Sequence, residues 1–424
     1  MQASARWGPS GGRRDNPGRC LQPGNVMIFM SVGTSSDVEQ GLATEPKQGD
    51  PRDAALTALA TRASVVSFPS VLTTNPYQRL LYEHLAAHGI DLVPDGEFTI
   101  RWLISARGRV RYLHFHWQEG HYRVQRQLRP RALWWVKLGI FGARLTAARM
   151  MRFRIVWTIH QVVPHESSGR MLDHAAALLL SRAAHVLMTH DRATAEAARR
   201  QLRLGNRTIG VVPIGSYAGI YPPGRDRAIV RADLGIAPDT FAFICFGGLR
   251  AYKDVDLLLD AFEAIGRPDV ALVLAGPVTD PREFARLTAR AARDPRVITR
   301  FEHVPDDQVT ELFDACDAAV FPRGDGGTSS SLILALSLGC PAVVVDAPSY
   351  MELTGGEEGG WVFEAGDQES LRGALVVAAQ DADTARARGR AAALRAERLS
   401  WDETGSLTAM FIGGAVTSDA ASPA

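Results

Sequence analysis

Several common features are missing from this sequence of 424 residues. Its 4 cysteines lack C-x-x-C spacing, which argues against a zinc site or a disulfide framework and favours reduced thiols. No apolar run approaches the roughly 20 residues that a membrane-spanning helix needs, and the apolar stretch 26–32 is too short for a signal peptide. Basic and acidic residues number 47 and 46, so the net charge indicates neither a nucleic-acid binder nor an acidic solvating chain. We therefore expect a globular protein of the cytoplasm.

The first 62 residues differ in composition from the rest of the chain. They are rich in glycine, proline, arginine, serine and aspartate and show no apolar periodicity, which is typical of a disordered extension. Met27 and Met30 lie within this stretch, so an over-called start codon is an alternative to a functional tail. We expect the folded part of the chain to begin at Ala63.

From Ala63 onwards, short apolar segments alternate with amphipathic ones, which predicts an α/β protein with parallel sheets. The predicted strands are residues 65–68, 112–116, 155–160, 186–189, 241–246, 271–275, 318–321 and 342–345. A stretch rich in glycine and proline, residues 211–227, divides the chain into two halves. We predict two doubly wound, Rossmann-like domains, 63–222 and 223–400, that face each other across a cleft. Residues 401–424 should form a helix that returns to the first domain, followed by a disordered tail.

Ligands bind open α/β sheets outside the carboxyl ends of the strands, and the predicted strand 241–246 is followed by suitable residues. Gly247 and Gly248 allow the backbone to approach a ligand closely, and Arg250 and Lys253 follow them. Fixed cations can neutralise a diphosphate and stabilise it as a leaving group. The alternative is a tight turn whose basic residues are solvated.

A second run of this kind, residues 324–331, follows the predicted strand 318–321 and precedes an apolar helix. Its hydroxyls come from Thr328, Ser329, Ser330 and Ser331. Unpaired N–H groups and the positive end of the helix dipole suit a phosphate or sugar hydroxyls at such a position. An ordinary helix cap would explain one or two of these residues, but not the whole run.

Four strings in the second half together resemble the donor domain of group 1 (family 4-like) glycosyltransferases, which have the GT-B fold. The strings are Phe-Gly-Gly-Leu-Arg-Ala-Tyr-Lys at 246–253, Ala-Gly-Pro at 275–277, Val-Pro-Asp at 304–306, and the serine run with Ala-Leu-Ser-Leu-Gly-Cys-Pro that ends at 341. The resemblance spans residues 63–405, and the most similar subgroup includes bacterial β-1,4-mannosyltransferases. It implies transfer of a hexose from a nucleotide-diphosphate sugar, with GDP-mannose as the expected donor, to a glycolipid or polysaccharide precursor.

The resemblance also implies roles for individual residues. Arg250 and Lys253 would hold the donor diphosphate, and the turn 329–331 would meet phosphate or sugar. His303 and Val304 would lie near the nucleotide base. Glu352 would contact the ribose. No metal ion or other cofactor is required by these patterns.

Three positions depart from the commonest family pattern. Relatives often carry two glutamates where Gly326 and Leu334 stand here, and a histidine where Ile214 stands. The most similar subgroup has a Ser-Gly-Ser turn instead of this pattern, and here Ser330 occupies the place of its glycine. These departures leave two alternatives open: a non-catalytic or partner-dependent protein that binds nucleotide sugars, and a GT-B epimerase of sugar nucleotides.

Histidines lie at the ends of three predicted strands of the first half: His114 and His116, His160, and His190. An inverting sugar transfer needs a group that takes the proton from the acceptor hydroxyl. The candidates are Glu119, His160, His116 and Glu166; we expect Glu119 to be the base, with His160 next. Each histidine taken alone could instead be a structural residue.

The surrounding strings resemble the acceptor domain of the same subgroup. His-Trp-x-Glu at 116–119 carries Gln118 where relatives have proline, and Thr-x-His at 158–160 is followed by Gln161 where they have asparagine. Both substitutions leave the candidate catalytic groups in place.

The chain between Glu119 and Glu166 contains no acidic residue, but many arginines interleaved with Trp134, Trp135 and aliphatic residues. Such a pattern predicts an interfacial helix within residues 123–154 that contacts anionic lipid on the inner face of the plasma membrane. The alternative is a crossover helix whose arginines extend into solvent. No helix-turn-helix or zinc pattern accompanies these cations, so we expect no nucleic-acid partner.

Overall fold

The computed structural model describes residues 62–72, 75–94, 96–123, 132–162, 169–324 and 327–420. The strands are β1 (Ala63–Phe68), β2 (Ile90–Leu92), β3 (Tyr112–Phe115), β4 (Arg154–Thr158), β5 (Val186–Thr189), β6 (Gly210–Val211), β7 (Phe241–Phe246), β8 (Val270–Ala275), β9 (Val297–Arg300), β10 (Ala318–Phe321), β11 (Ala342–Val345) and β12 (Gly360–Phe363). The predicted N-terminal extension lies outside the described residues, except for Arg62, which pairs with Asp91.

The helices connect these strands in sequence order. They are α1 (Pro76–Ala87), α2 (Ile100–Ala106), α3 (Glu119–Tyr122), α4 (Ala132–Met150), α5 (Arg170–Ala183), α6 (Arg192–Gln201), α7 (Arg227–Asp233), a 3₁₀ turn (Ala251–Lys253), α8 (Val255–Glu263), α9 (Pro281–Ala291), α10 (Asp306–Ala315), α11 (Ser330–Ser337), α12 (Pro348–Thr354), a second 3₁₀ turn (Gly356–Glu358), α13 (Gln368–Ala378), α14 (Ala382–Ala396) and α15 (Trp401–Ala420).

The first sheet is parallel and has the strand order β2-β1-β3-β4-β5-β6. Strands β3 and β5 are buried along their whole length, as expected for strands covered on both faces. Helix α1 follows β1; its N-terminus is capped by the Asn75 side chain, which accepts a hydrogen bond from Tyr77 N at 3.0 Å. The strand order reverses between β1 and β3, so ligands are expected at the carboxyl ends of these strands.

The second sheet is also parallel, with the order β12-β11-β10-β7-β8-β9 of a Rossmann fold. Here the strand order reverses between β7 and β10. The two predicted donor loops follow these two strands, so both lie at the reversal point. The described chain thus confirms the prediction of an α/β protein built from two doubly wound sheets.

Helix α15 brings the chain back from the second sheet to the first, where it packs against α1. The Trp401 indole N–H donates to Ser216 O at 2.8 Å, and Thr404 Oγ1 donates to Pro213 O at 2.9 Å. Gly215 lies directly beneath this indole, since a Cβ there would be 2.5 Å from the Trp401 ring. A larger residue at 215 would push α15 away from the first sheet.

Helix α4 occupies most of the predicted membrane-contacting stretch. One of its faces packs into the core of the first domain through Leu138, Phe141, Leu145 and Ala148. Large apolar side chains remain exposed on other faces: Trp135, Val136, Ile140 and Met150. Among the described residues, no helix is both long enough and apolar enough to cross a bilayer.

Candidate active site

Three polar groups converge beside Gly247, at the carboxyl end of β7. Gly247 has a φ of 93°, a conformation that favours glycine. A Cβ at this position would lie 2.8 Å from Ser331 Oγ and 3.3 Å from Lys253 Nζ. The Lys253 ammonium folds back under the loop and donates to Phe246 O at 3.3 Å. Backbone, hydroxyl and ammonium groups thus surround one point at the strand-order reversal.

The Lys253 side chain is partly buried, and its ammonium has other cations close to it. Burial lowers its pKa; the Cys245 thiol opposes this, while Arg323 and Arg250 lower the pKa further. Arg323, two residues after β10, has its guanidinium carbon 5.4 Å from the centre of the Tyr252 ring. A bound diphosphate would relieve the repulsion among these cations, so the site suits an anion.

The two donor loops are tied to each other and to α11. Asp254 Oδ2 accepts a hydrogen bond from Gly324 N at 3.1 Å. Ser329 caps α11, because its Oγ accepts from Leu332 N at 3.2 Å, which is the ordinary capping role that the sequence left open. A Cβ at Gly248 would lie 3.8 Å from Arg250 Nε. Five predicted donor residues are therefore gathered at this point: Gly247, Gly248, Arg250, Lys253 and Ser331.

The remaining predicted donor residues have other neighbours. His303 and Val304 line a cavity of about 250 Å³ together with Arg225 and Arg300. Glu352 is exposed on α12, and its backbone carbonyl accepts from Arg395 Nη2 at 2.9 Å. Neither environment includes the Lys253 loop. Ser330 is the first residue of α11 and is partly buried.

Two of the departures from the family pattern have a structural use here. Leu334 and Ile214 are both buried in the hydrophobic core that includes the second sheet. Both side chains contribute to the packing of this core. The glutamate and histidine of relatives would place polar groups at the same two positions. Gly326 lies outside the described residues.

The string Asp254-Val255-Asp256 has the Asp-x-Asp spacing of some metal sites. The two carboxylates contact different partners. Asp254 accepts a hydrogen bond from Gly324 N, and Asp256 forms an ion pair with Arg286 Nη1 at 2.5 Å. Among the described residues, no three His, Cys, Asp or Glu side chains are arranged as metal ligands.

Four histidines lie together at the carboxyl end of the first sheet: His114, His116, His160 and His190. The ring of Tyr77 on α1 is edge-on to three of them, with centroid distances of 5.6 Å to His116, 5.3 Å to His160 and 5.2 Å to His190. Trp117 stacks on His160 at 4.4 Å. The cluster therefore consists of aromatic rings packed against one another, and His160 is its partly exposed histidine.

A continuous chain of hydrogen bonds runs through this cluster, and its members are Thr158, His114, Tyr82, His116 and His160. Thr158 Oγ1 lies 2.8 Å from His114 Nε2, and His114 Nδ1 lies 3.0 Å from the Tyr82 hydroxyl. The same hydroxyl lies 2.9 Å from His116 Nε2, and His116 Nδ1 lies 3.2 Å from His160 Nε2. Both nitrogens of His116 are thus occupied, and within the described residues no hydrogen bond reaches Nδ1 of His160.

These histidines are neutral near pH 7. Burial lowers the pKa of His114 to about 3 and that of His190 to about 4. It also holds the pKa values of His116 and His160 well below the usual range. Because a neutral imidazole keeps one lone pair, His160 can accept a proton at the nitrogen that faces away from His116.

Glu119 begins α3 and is partly exposed. Burial raises the pKa of Tyr122, and the negative charges of Asp173 and Glu119 raise it further, which shows that Glu119 lies near this tyrosine. Arg123 Nη2 pairs with the buried Asp173 at 2.8 Å. Glu166, another predicted candidate, lies outside the described residues.

Asp191, two residues after β5, joins the two domains. Its carboxylate caps α6 by accepting from Thr194 N at 2.7 Å and Thr194 Oγ1 at 2.8 Å. It also accepts hydrogen bonds from two hydroxyls of the second domain, Ser349 Oγ at 2.9 Å and Thr328 Oγ1. The predicted donor residue Thr328 is therefore bound by the first domain, which brings the donor loop opposite the histidine cluster.

Several of these groups were not predicted as site residues: Tyr77, Tyr82, Asp191 and Arg323. The sequence does carry one signal for Arg323, a cation two residues after a predicted strand end. The two tyrosines show only the apolar spacing of a helix, which gives no indication of where their hydroxyls point.

The sequence is similar to those of known proteins. Residues 226–395 match the family described as glycosyl transferases group 1. A GDP-mannose:glycolipid 4-beta-D-mannosyltransferase of Xanthomonas campestris pv. campestris is 27% identical over 290 residues, which is 68% of this chain and 75% of the relative.

Two solved structures share the fold at lower identity. Sucrose-phosphate synthase from Thermosynechococcus elongatus has a TM-score of 0.63 at 17% identity, covering 81% of this chain and 96% of that one. Anabaena Alr3699/HepE in complex with UDP-glucose has a TM-score of 0.62 at 18% identity, covering 89% and 98%.

Proposed function

Since this chain belongs to the group 1 glycosyltransferases, with a GT-B fold and a nucleotide-diphosphate sugar as donor, we propose that it transfers mannose. The proposed donor is GDP-mannose, and the proposed acceptor is a hydroxyl group of a glycolipid or polysaccharide precursor. The similarity to the Xanthomonas mannosyltransferase supports both assignments.

The observation that carries this proposal is the pairing of two half-sites across Asp191. On one side, Gly247, Lys253 and Ser331 form an anion site at the strand-order reversal of the second sheet. On the other side, His160 presents a neutral imidazole at the edge of the first sheet. A nucleotide sugar held by its diphosphate at Lys253 would direct its sugar towards the histidine cluster.

The chemistry follows from these positions. A β-mannoside formed from GDP-α-mannose requires inversion at C1, and so a base for the attacking hydroxyl. The acceptor O–H bond breaks as the new C1–O bond forms, and the proton moves to His160 Nδ1. The bond between C1 and the diphosphate oxygen breaks with its electron pair, and Lys253 and Arg250 stabilise the charge of the departing GDP. His116 is assigned to holding His160, because both of its nitrogens are occupied.

The donor assignment predicts selective stabilisation by guanine nucleotides. At concentrations about 100-fold above the dissociation constant, a ligand adds about 2.7 kcal/mol to the free energy of unfolding. GDP and GDP-mannose should therefore raise the melting temperature by several degrees, and UDP-glucose and ADP-glucose should raise it less. Incubation of the stabilising donor with a lipid extract of the source cells, followed by mass spectrometry, then identifies the product. Equal or greater stabilisation by UDP-glucose would contradict GDP-mannose as the donor.

We also propose that α4 rests on an anionic membrane surface, on the cytoplasmic side. Its exposed apolar residues are Trp135, Val136 and Ile140, and the two helices in contact with it also carry exposed apolar residues, Ile104 on α2 and Met171 on α5. Lys137 and Arg144 lie on the same helix, and tryptophan with basic residues is the composition that favours the headgroup region. Such contact would bring the cleft close to a lipid-linked acceptor.

A matched pair of valines tests this contact. Val136 on α4 is 56% exposed and Val377 on α13 is 51% exposed. Val136→Asp should weaken binding to vesicles of anionic lipid roughly tenfold, since it adds a negative charge and removes apolar surface from the interface. Val377→Asp should leave vesicle binding unchanged. Equal effects of the two substitutions in a flotation assay would exclude α4 as the contact.

A further inference from the structure

We propose that Tyr82 and Thr158 are positioning residues that decide which nitrogen of His160 carries its proton. This inference rests on the proposed role of His160 as the base. Neither residue reaches the cleft: Tyr82 lies on α1 with its ring buried, and Thr158 is buried at the end of β4. Both act through the chain of hydrogen bonds that ends on His160.

The direction of this chain is set by a simple count of protons. Each neutral imidazole has one N–H donor and one acceptor nitrogen, and the Tyr82 hydroxyl has one hydrogen to donate. The Tyr82 hydroxyl lies within hydrogen-bond distance of both His114 and His116, and Ser67 is a further hydrogen-bond neighbour. In the proposed chain the hydroxyl donates to one histidine and accepts from the other. Consequently each group donates to the next one either inward, from His160 towards Thr158, or outward, from Thr158 towards His160.

Only the inward direction makes His160 a base. His160 Nε2–H then donates to His116 Nδ1, and His116 Nε2–H donates to the Tyr82 oxygen. The Tyr82 hydroxyl donates to His114 Nδ1, and His114 Nε2–H donates to Thr158 Oγ1. This order leaves a lone pair on His160 Nδ1, whereas the outward order places a proton there.

The inward chain also stabilises His160 after it takes the acceptor proton. The imidazolium still donates through Nε2 to an acceptor nitrogen, and a charge-assisted bond of this kind is stronger than a neutral one. Burial disfavours a positive charge on both His114 and His160, so the charge on His160 depends on the anion that forms beside it. This anion is the diphosphate, which departs with negative charge.

Removing the inner end of the chain should reverse its direction. In Thr158→Val, His114 Nε2–H loses its acceptor, so His114 prefers its proton on Nδ1, where it donates to Tyr82. The Tyr82 hydroxyl then donates to His116, His116 donates to His160 Nε2, and His160 carries its proton on Nδ1. Thr158→Ser keeps the hydroxyl and should keep the inward direction.

Tyr82→Phe should break the chain in the middle, and Tyr112→Phe is its matched control. Both tyrosines are buried in the same hydrophobic cluster, and the Tyr112 hydroxyl has no hydrogen-bond partner among the described residues. Loss of the Tyr112 hydroxyl therefore changes the packing to a similar degree without touching the chain.

The test combines kinetics with ¹⁵N NMR of the histidine ring. We expect Thr158→Val and Tyr82→Phe to lower kcat by about tenfold, a part of the roughly 10² to 10⁴ that general-base catalysis contributes, with little change in KM for GDP-mannose. Thr158→Ser and Tyr112→Phe should retain the wild-type kcat. In the full-length protein without substrate, the ¹⁵N shifts of His160 should show the proton on Nε2 in the wild type and on Nδ1 in Thr158→Val.

The titratable groups packed against His160 are His116, His190 and Tyr77, so spectra of the four variants should be compared at one pH. The same His160 tautomer in the wild type and Thr158→Val would overturn the inference, as would an unchanged kcat in Tyr82→Phe. Because the NMR measurement needs no donor, a wrong donor assignment leaves it intact and is detected separately by the melting experiment.

Discussion

Replacing Lys253 with methionine should lower kcat/KM by a factor on the order of 10² to 10³, or about 3–4 kcal/mol of transition-state stabilisation. The ammonium lies at the strand-order reversal of the second sheet, 3.3 Å from Phe246 O and beside Gly247 and Ser331. Methionine fills a similar volume without the charge, so the fold should persist. The loss should fall mainly on kcat, because the diphosphate charge grows as the bond to C1 breaks.

The control for this substitution is Arg293→Met, which removes an exposed cation just after α9. This residue follows a helix that returns to the amino ends of the strands, away from the cleft, and its loss should leave kcat/KM unchanged. Initial rates with GDP-mannose as donor measure both variants. If Lys253→Met retains more than half of the wild-type rate, the anion site must lie elsewhere.

His160→Gln should lower kcat by about 10² to 10⁴, the usual contribution of a general base. The glutamine amide can still reach His116 from the position of Nε2, so the hydrogen bond at 3.2 Å has a substitute. The nitrogen that takes the proton is lost. KM for the donor should change little, since the proposed donor site lies in the other domain.

Glu119→Gln is the competing variant for the same role. Glu119 lies near Tyr122 on α3, and with His160 as the base, Glu119→Gln should keep kcat within about threefold of the wild type. Single-turnover measurements separate the chemical step from product release for both variants. The reverse result, a large loss in Glu119→Gln and a small one in His160→Gln, would move the base to the carboxylate.

The interior of both sheets could be predicted from the sequence, and the edges could not. The strands that the sequence did not predict are β2, β6, β9 and β12, which are the outermost strands of the two sheets. Interior strands are buried on both faces and appear as continuous apolar runs. Edge strands are short or partly exposed, as in the two-residue β6 and the half-exposed β9, and their sequences resemble those of loops.

In the candidate site, residues close together in the sequence could be predicted, and contacts between residues far apart in the sequence could not. Gly247, Arg250 and Lys253 were predicted because they belong to a single loop, whose spacing carries the signal. Tyr82 lies 34 residues before His116, and Asp191 lies 158 residues before Ser349. A pattern read along one sequence contains nothing that connects such positions, so these contacts required the folded arrangement of the strands.

The contacts of Asp191 determine how the strength of the junction between the two domains depends on salt concentration. Asp191 is 8% exposed as a residue, and its two carboxylate oxygens accept hydrogen bonds from a backbone amide and three hydroxyls. Among the described residues, the second domain contributes the uncharged hydroxyls of Thr328 and Ser349 to this junction. When the domains part, each hydroxyl can be replaced by a water molecule with no ion pair broken at Asp191. Salt screens charges, so this junction should be equally strong in dilute and concentrated electrolyte, whereas binding of a diphosphate at the proposed Lys253 site should weaken as salt is added.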